Sequence, residues 1–297
     1  MIKPLDISKI GSYVAIGDSF SEGMMDPWAS DPHLAESAVG EYRGWTDRLA
    51  SKLSRIRVDE DLPPVRYANL AVRGKLLHQI VAEQLDPAIE MLPDLLSIVG
   101  GGNDMLRPGA TPDTVAELLE EAVSRARHAG CEVLLVVSSN PRGGSRLLSA
   151  TRGQASVFNS YIWSIAHRYD CYVADQWGLQ ALQTWPAWAA DRIHLTSTGH
   201  EIMAREALHA LGLEARINED SRPLPLGEDP IPSEVPISEA IPAGWAQVQQ
   251  GFRDDFEWLR RDVKPWVGRR IKGVSSGDEV RAKRPRLQEM PPQPHDL

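Results

Sequence analysis

Short apolar runs recur along the first two thirds of the chain, separated by longer segments of helical periodicity. Residues 12–16 (SYVAI), 65–69 (VRYAN), 95–99 (LLSIV), 133–137 (VLLVV) and 171–174 (CYVA) are too short for helices. They are rich in aliphatic or aromatic residues and mostly end at Gly, Asn, Ser or Asp, the pattern of buried strands. Residues 45–53 carry Trp45, Leu49 and Leu53 four apart, one helical face. Residues 114–128 follow Thr111, Pro112 and Asp113, a helix start signal, and stop at Gly130. Residues 152–168 and 198–211 read likewise. Strands alternating with helices predict an α/β fold whose parallel sheet is covered on both faces.

The pattern changes near residue 215. Eleven of the 22 prolines lie between Pro223 and Pro294, and charge separates into blocks. Residues 217–257 hold nine acidic side chains against two basic, and residues 260–286 hold ten basic against three acidic. Between the blocks Trp245, Val248, Phe252, Phe256, Leu259 and Val263 recur at three- and four-residue steps, predicting one amphipathic helix over 243–267. The chain therefore divides into a domain, 1–215, and a proline-rich, charge-segregated C-terminal extension, 216–297, with a linker, that helix and an unstructured basic end. Three roles compete for the extension. The run 281–286 could touch nucleic acid or anionic lipid; the helix could dock on its own domain or a second subunit; or the whole is a solvated tail, the default on composition.

Composition narrows the class. The chain has 297 residues, 42% hydrophobic and 25% charged, as in ordinary soluble globular proteins. A formal charge of −9 excludes a chain-wide phosphate binder, so no nucleic-acid partner is expected. Two cysteines, Cys131 and Cys171, exclude a disulfide framework, a four-cysteine zinc site and a CxxC redox pair. No apolar run approaches the roughly 18 residues of a membrane span. Asp6, Ser8 and Lys9 interrupt any signal-peptide core, so a cytoplasmic location is the expectation.

Parallel sheets carry ligands beyond the C-terminal ends of their strands, which directs attention to the loops. After the first strand comes Gly17-Asp18-Ser19-Phe20-Ser21-Glu22-Gly23, where Ser19 is either a turn or cap residue or an exposed nucleophile. After the second comes Asn69-Leu70-Ala71-Val72-Arg73-Gly74. The third leads into Gly100-Gly101-Gly102-Asn103-Asp104, whose glycines permit close backbone approach to a ligand and whose Asn103 offers a donor; a tight turn with a helix cap is the bland alternative. Dinucleotide binding fails, since no GxGxxG follows the first strand. Near the domain end Asp191-Arg192-Ile193-His194 spaces a carboxylate and an imidazole to meet on one turn, though a lone DxxH is more often a surface cap. No metal-binding spacing accompanies His194 and His200, so no metal is expected.

Taken together, GDSF, Gly74, GGND and DRIH occur in the order and spacing of the SGNH (GDSL) hydrolases, which the chain resembles over residues 10–213. Tyr42-Arg43-Gly44-Trp45, Arg73 beside Gly74, and Asp175-Gln176-Trp177-Gly178-Leu179 resemble the actinobacterial-type intracellular members. The resemblance implies a flavodoxin-like three-layer α/β/α fold with a five-stranded parallel sheet. It implies Ser19 as nucleophile, His194 as base and Asp191 as its orienting carboxylate. The N–H groups of Ser19 and Gly74 and the Asn103 side chain would form the oxyanion hole, with no cofactor.

Met24, Met25 and Trp28 are candidates to line an acyl pocket or ordinary packing. Arg73 and Arg107 could meet an anionic substrate group or simply be solvated. Trp177, Trp185 and Trp188 could wall the site or pack the last helix. The expected activity is hydrolysis of a small-molecule acyl ester with a small or medium acyl chain. Carbohydrate O-acetyl esterase, thioesterase and lysophospholipase are its variants, and a scaffold acting through the C-terminal extension is the non-enzymatic alternative.

Overall fold

A computed structural model describes residues 4–28, 40–107, 109–140, 151–183, 185–189, 191–213 and 280–292. All five expected strands form: β1 (Ser12–Ile16), β2 (Arg66–Asn69), β3 (Leu95–Ile98), β4 (Glu132–Val136) and β5 (Tyr172–Ala174). They pair in parallel in the order β5-β4-β3-β1-β2. Every residue of β1 is buried, as a central strand covered on both faces requires.

The helices are α1 (Ser19–Glu22, a single turn), α2 (Gly44–Asp59), α3, α4 (Gly102–Met105), α5 (Pro112–His128), α6 (Arg152–Tyr169) and α7 (Ser197–Ala210). α3 runs through Leu77–Ile80, a π-helical Val81–Leu85 and Asp86–Glu90. It was not expected from the sequence, although its buried Leu77, Ile80, Val81, Leu85 and Ala88 follow helical spacing. α2 extends past Leu53 because Ile56 is buried and the Arg57 guanidinium donates to the carbonyls of Pro63 and Ile7, both at 2.7 Å.

Among the described residues the sheet has six strands rather than five. Arg284–Glu289, in the basic end expected to be unstructured, forms β6 and lies antiparallel on β2, with Arg66 opposite Glu289 and Asn69 opposite Arg284. Pro285 is tolerated because β6 is an edge strand. Both ends of β6 are anchored: Met290 is fully buried, and the buried Lys283 and Arg284 side chains face the buried Asp47 carboxylate. The helix expected over 243–267, and any docking or oligomer contact it makes, lie outside the described residues.

Two cores flank the sheet. One packs α2, α7 and Met290 against Tyr13, Ala15, Tyr67, Leu95 and Leu134. The other packs α3, α5 and α6 against Val14, Ile16, Leu96, Ile98, Val133 and Leu135. This is the expected three-layer arrangement. Among the described residues no helix is long and apolar enough to cross a membrane.

Candidate active site

Loops following β1, β2, β3 and β5 converge at one edge of the sheet, with β1 and β3 flanking the point where strand order reverses. Ser19 is the first residue of α1. Asp18 caps that turn through Oδ1, which accepts the Phe20 N–H at 3.0 Å. The single turn is held at its other end too: the Ser21 carbonyl accepts from Asn69 Nδ2 at 2.8 Å and Thr46 Oγ1 at 3.0 Å.

The Asp191–His194 segment is the tip of a narrow hairpin. Trp188 bridges to Leu195, Ala189 N–H donates to the His194 carbonyl at 2.9 Å, and Thr196 N–H to the Ala187 carbonyl at 2.9 Å. Arg192 adopts φ 56°, a left-handed conformation that non-glycine residues seldom take and that turns the chain back on itself here. Asp191 Oδ1 then accepts the N–H groups of Ile193 and His194, each at 3.0 Å, while Oδ2 meets His194 Nδ1 at 2.7 Å. His194 Nε2 lies 2.9 Å from Ser19 Oγ. Burial alone would raise the Asp191 carboxyl, but the His194 side chain and these backbone donors hold it below its ordinary value. It remains an anion able to receive Nδ1–H, which leaves Nε2 to accept the serine proton. All three side chains are only partly buried, so a substrate can reach them.

Asn103 Nδ2 donates to Asp18 Oδ2 at 2.9 Å and to the Lys75 carbonyl at 3.0 Å. It thus ties together the residue before Ser19 and the residue after Gly74, holding three loops in one place. Gly74 has φ 78°, a conformation that suits glycine. Neither the Ser19 nor the Gly74 N–H is taken by an acceptor among the described residues. Two of the three glycines before Asn103 are required by packing: a Cβ on Gly100 would lie 2.8 Å from Ile80 Cδ1, and one on Gly101 2.6 Å from Phe158 Cε1, whereas one on Gly102 would meet nothing within 4 Å. Asp104 is no helix cap; its carboxylate accepts the Leu77 N–H at 3.1 Å, fixing the start of α3.

Residues 15–202 match the model of the GDSL-like lipase/acylhydrolase family. The chain belongs to this family. No match to a curated protein is found. Among solved structures, LAE5, an alpha/beta hydrolase enzyme from the metagenome of Lake Arreo, Spain, is similar at 22% identity and a TM-score of 0.56, covering 72% of this chain and 99% of its own. Axe2, an acetylxylan esterase from Geobacillus stearothermophilus, is similar at 20% identity and a TM-score of 0.55, covering 71% and 97%. At these identities the likeness is one of fold.

The remaining candidate residues of this GDSL-like hydrolase divide sharply. Arg73 is occupied: its guanidinium pairs with Glu22 and, at 3.2 Å, Glu41, and stacks 5.2 Å from the Tyr42 ring centre. Its backbone N–H donates to Glu22 Oε2 at 2.7 Å, so Arg73 joins the Gly74 loop to α1. Trp28 is buried, 6.0 Å from the Arg284 guanidinium, on the β6 side. Met24 is half-buried, Met25 exposed and Arg107 exposed. Trp188 packs on the core with Nε1 donating to the Leu182 carbonyl at 2.6 Å, which supports the hairpin. Trp177 lies 5.6 Å beneath Arg152, and the Trp185 side chain is outside the described set.

His200, on α7 as expected, is buried. Its Nδ1 accepts the Trp45 N–H at 3.2 Å and its Nε2–H donates to the Met24 carbonyl at 3.0 Å, a neutral tautomer with both nitrogens used. Sequence reasoning missed Asn69, Glu22 and Asp18 as supports, although all three sit within or beside the motifs that drew attention to the site. Among the described residues no group of three or more His, Cys, Asp or Glu could hold a metal ion.

Proposed function

We propose that the protein is a serine esterase that hydrolyses an acyl ester through Ser19, His194 and Asp191. The observation that carries this reading is the unbroken chain from Ser19 Oγ to His194 Nε2 at 2.9 Å and from His194 Nδ1 to Asp191 Oδ2 at 2.7 Å. Family membership supports it. So does Axe2, in which variants replacing a serine, a histidine and an aspartate by alanine are catalytic mutants.

Ser19 Oγ attacks the ester carbonyl as His194 Nε2 takes its proton, and Asp191 stabilises the resulting imidazolium. The carbonyl oxygen becomes an oxyanion, met by the N–H groups of Ser19 and Gly74 and by Asn103 Nδ2, which gives up part of its bond to Asp18 or Lys75. Collapse expels the alcohol with the proton from His194. Water, deprotonated by the same imidazole, then attacks the acyl-serine and releases the acid.

Hydrolysis of p-nitrophenyl esters from acetate to palmitate, with acetylated xylooligosaccharide alongside, tests the reading. The wild type turns over the short chains fastest, and Ser19→Ala lowers kcat by about 10⁴-fold or more. A Ser19→Ala variant as active as the wild type overturns it.

A further inference from the structure

Lys283 belongs to the C-terminal extension, beyond residues 214–279, yet its side chain ends beneath the turn that carries Ser19. Its Nζ donates to the carbonyls of Glu22 at 2.6 Å, Tyr42 at 3.0 Å and Arg43, and lies 2.5 Å from Asp47 Oδ2. Glu22 is the last residue of α1, so its carbonyl is one of the acceptors a helix end leaves without an intrahelical partner. A cation there satisfies that acceptor and complements the negative end of the turn.

The three carbonyls flank one of the tightest contacts in the molecule. A Cβ on Gly23 would fall 2.4 Å from Gly44 Cα, so the end of α1 and the start of α2 touch backbone to backbone. Oxygens converge where no side chain can separate them, and the ammonium is the group that draws them together. Charge balance for Asp47 does not by itself explain this placement, since Arg284 Nε already lies 3.4 Å from Asp47 Oδ1. Glu22 is also gripped from its other side, where its carboxylate accepts the Arg73 N–H and guanidinium. The fixed points run from β6 through Lys283 to Glu22 and from Glu22 through Arg73 to Gly74.

We infer that Lys283 is a positioning residue for the nucleophile, and that the C-terminal strand is a working part of the active site because it delivers this ammonium to the far end of α1. The inference rests on Ser19 being the nucleophile. It predicts that loss of the ammonium lets α1 drift relative to His194 and Gly74 while the substrate-contacting surface stays intact.

Full-length Lys283→Met, Lys283→Arg and Met290→Ala separate positioning from mere stability. Met290 is a fully buried anchor of the same strand with no polar contact to α1. Thermal melts set a temperature at which each variant is folded. There, kcat and KM on p-nitrophenyl acetate and the rate of Ser19 phosphonylation by a fluorophosphonate are measured. Lys283→Met lowers kcat and the phosphonylation rate together by roughly 10- to 100-fold, as small displacements of reacting groups do, with KM within about twofold. Lys283→Arg keeps a charge beside Asp47 and melts nearer the wild type, yet remains slowed, because a planar fork cannot meet three carbonyls from one point. Met290→Ala melts lower and keeps its rates.

Wild-type rates in Lys283→Met, or rate losses in all three variants that follow only their melting temperatures, overturn the inference. Should the wild type neither hydrolyse the ester nor label at Ser19, the reading of Ser19 fails instead. Amide exchange over residues 19–24 then decides the role of Lys283: unchanged exchange in Lys283→Met and Lys283→Arg overturns the inference on its own.

Discussion

On the face of the sheet covered by α3, α5 and α6, Val14, Ile16, Leu96, Ile98, Val133 and Leu135 pack in a largely apolar cluster, with Gln84 of α3 an exception that accepts the Gly17 N–H at 2.8 Å. The opposite face, under α2 and α7, has aliphatic residues as well but is laced with buried polar groups. Tyr13 Oη meets Ser97 Oγ at 2.9 Å, Tyr67 Oη donates to Thr46 at 2.8 Å, and Asn69 reaches Ser21. Beneath them Asp26, Arg48, Lys52 and Glu201 form one network with contacts of 2.6–3.1 Å. Ser19 and His194 are anchored on this second face: α1 rests on α2, and α7 follows directly from the His194 hairpin. Apolar packing is non-directional and fixes distances only through shape. Hydrogen-bonded ions fix direction, and a serine 2.9 Å from an imidazole needs direction.

The largest effect that tests this contrast is expected from Arg48→Met. Asp26 accepts Arg48 Nε at 2.8 Å and Gly44 N–H at 3.1 Å, and Arg48 Nη1 reaches Glu201 on α7 at 3.1 Å. One guanidinium therefore links the loop after α1, the start of α2 and the helix behind His194. Burial alone would raise the Asp26 carboxyl, but Arg48 holds it far below the ordinary carboxylate range. Removing one member of a buried pair strands the other charge, so urea unfolding should show a loss of about 3–5 kcal/mol. The kcat of the folded fraction should fall too. Full activity in this variant would mean that the ions stabilise the face without aiming Ser19 and His194.

The same contrast explains what could be read along the chain. The aliphatic strands announce themselves through β-branched and leucine runs, and all five appeared within a residue or two of their expected limits. Ser19, Gly74, Asn103, Asp191 and His194 were ambiguous one by one and stood out only because GDSF, Gly74, GGND and DRIH share the order and spacing of the SGNH hydrolases. β6 carried no such signal. Its sequence RPRLQE is charged, mostly exposed and interrupted by Pro285, so neither periodicity nor propensity marks a strand. It is held by partners distant in sequence: Asp47 for Lys283, and the core under α2 for Met290. The surroundings of Arg73 and Trp28 were hidden for a related reason, since Glu22, Glu41 and the β6 side chains that engage them become neighbours only on folding.

A smaller effect comes from His200. Burial pulls its pKa from the ordinary 6.5 to about 4, with Asp26 and the Met24 carbonyl opposing only in part. The unfolded chain takes up a proton as pH falls through about 6.5, whereas the folded one resists until about 4. His200 therefore favours the folded state fully above about 6.5, and that contribution, about 3 kcal/mol, is lost across this window as pH drops. Urea midpoints at several pH values should decline across it, and His200→Asn should flatten that part of the slope. A wild type insensitive between these limits would place a compensating charge on this face.

The smallest effect belongs to the aliphatic face. Ile98→Val removes one methyl group from the end of β3, five residues before Asn103. Ile98 is about 1% exposed and touches no polar partner through its side chain, so its neighbours can close part of the gap. The expected cost is about 0.5–1.5 kcal/mol in urea, with kcat and KM unchanged at a temperature where the protein is folded. The proximity to Asn103 gives the test its edge. The Asn103 side chain is fixed by its bonds to Asp18 and the Lys75 carbonyl rather than by the volume beneath it. A drop in kcat for Ile98→Val would show that packing on this face also sets the reacting geometry, and the division between the two faces would have to be abandoned.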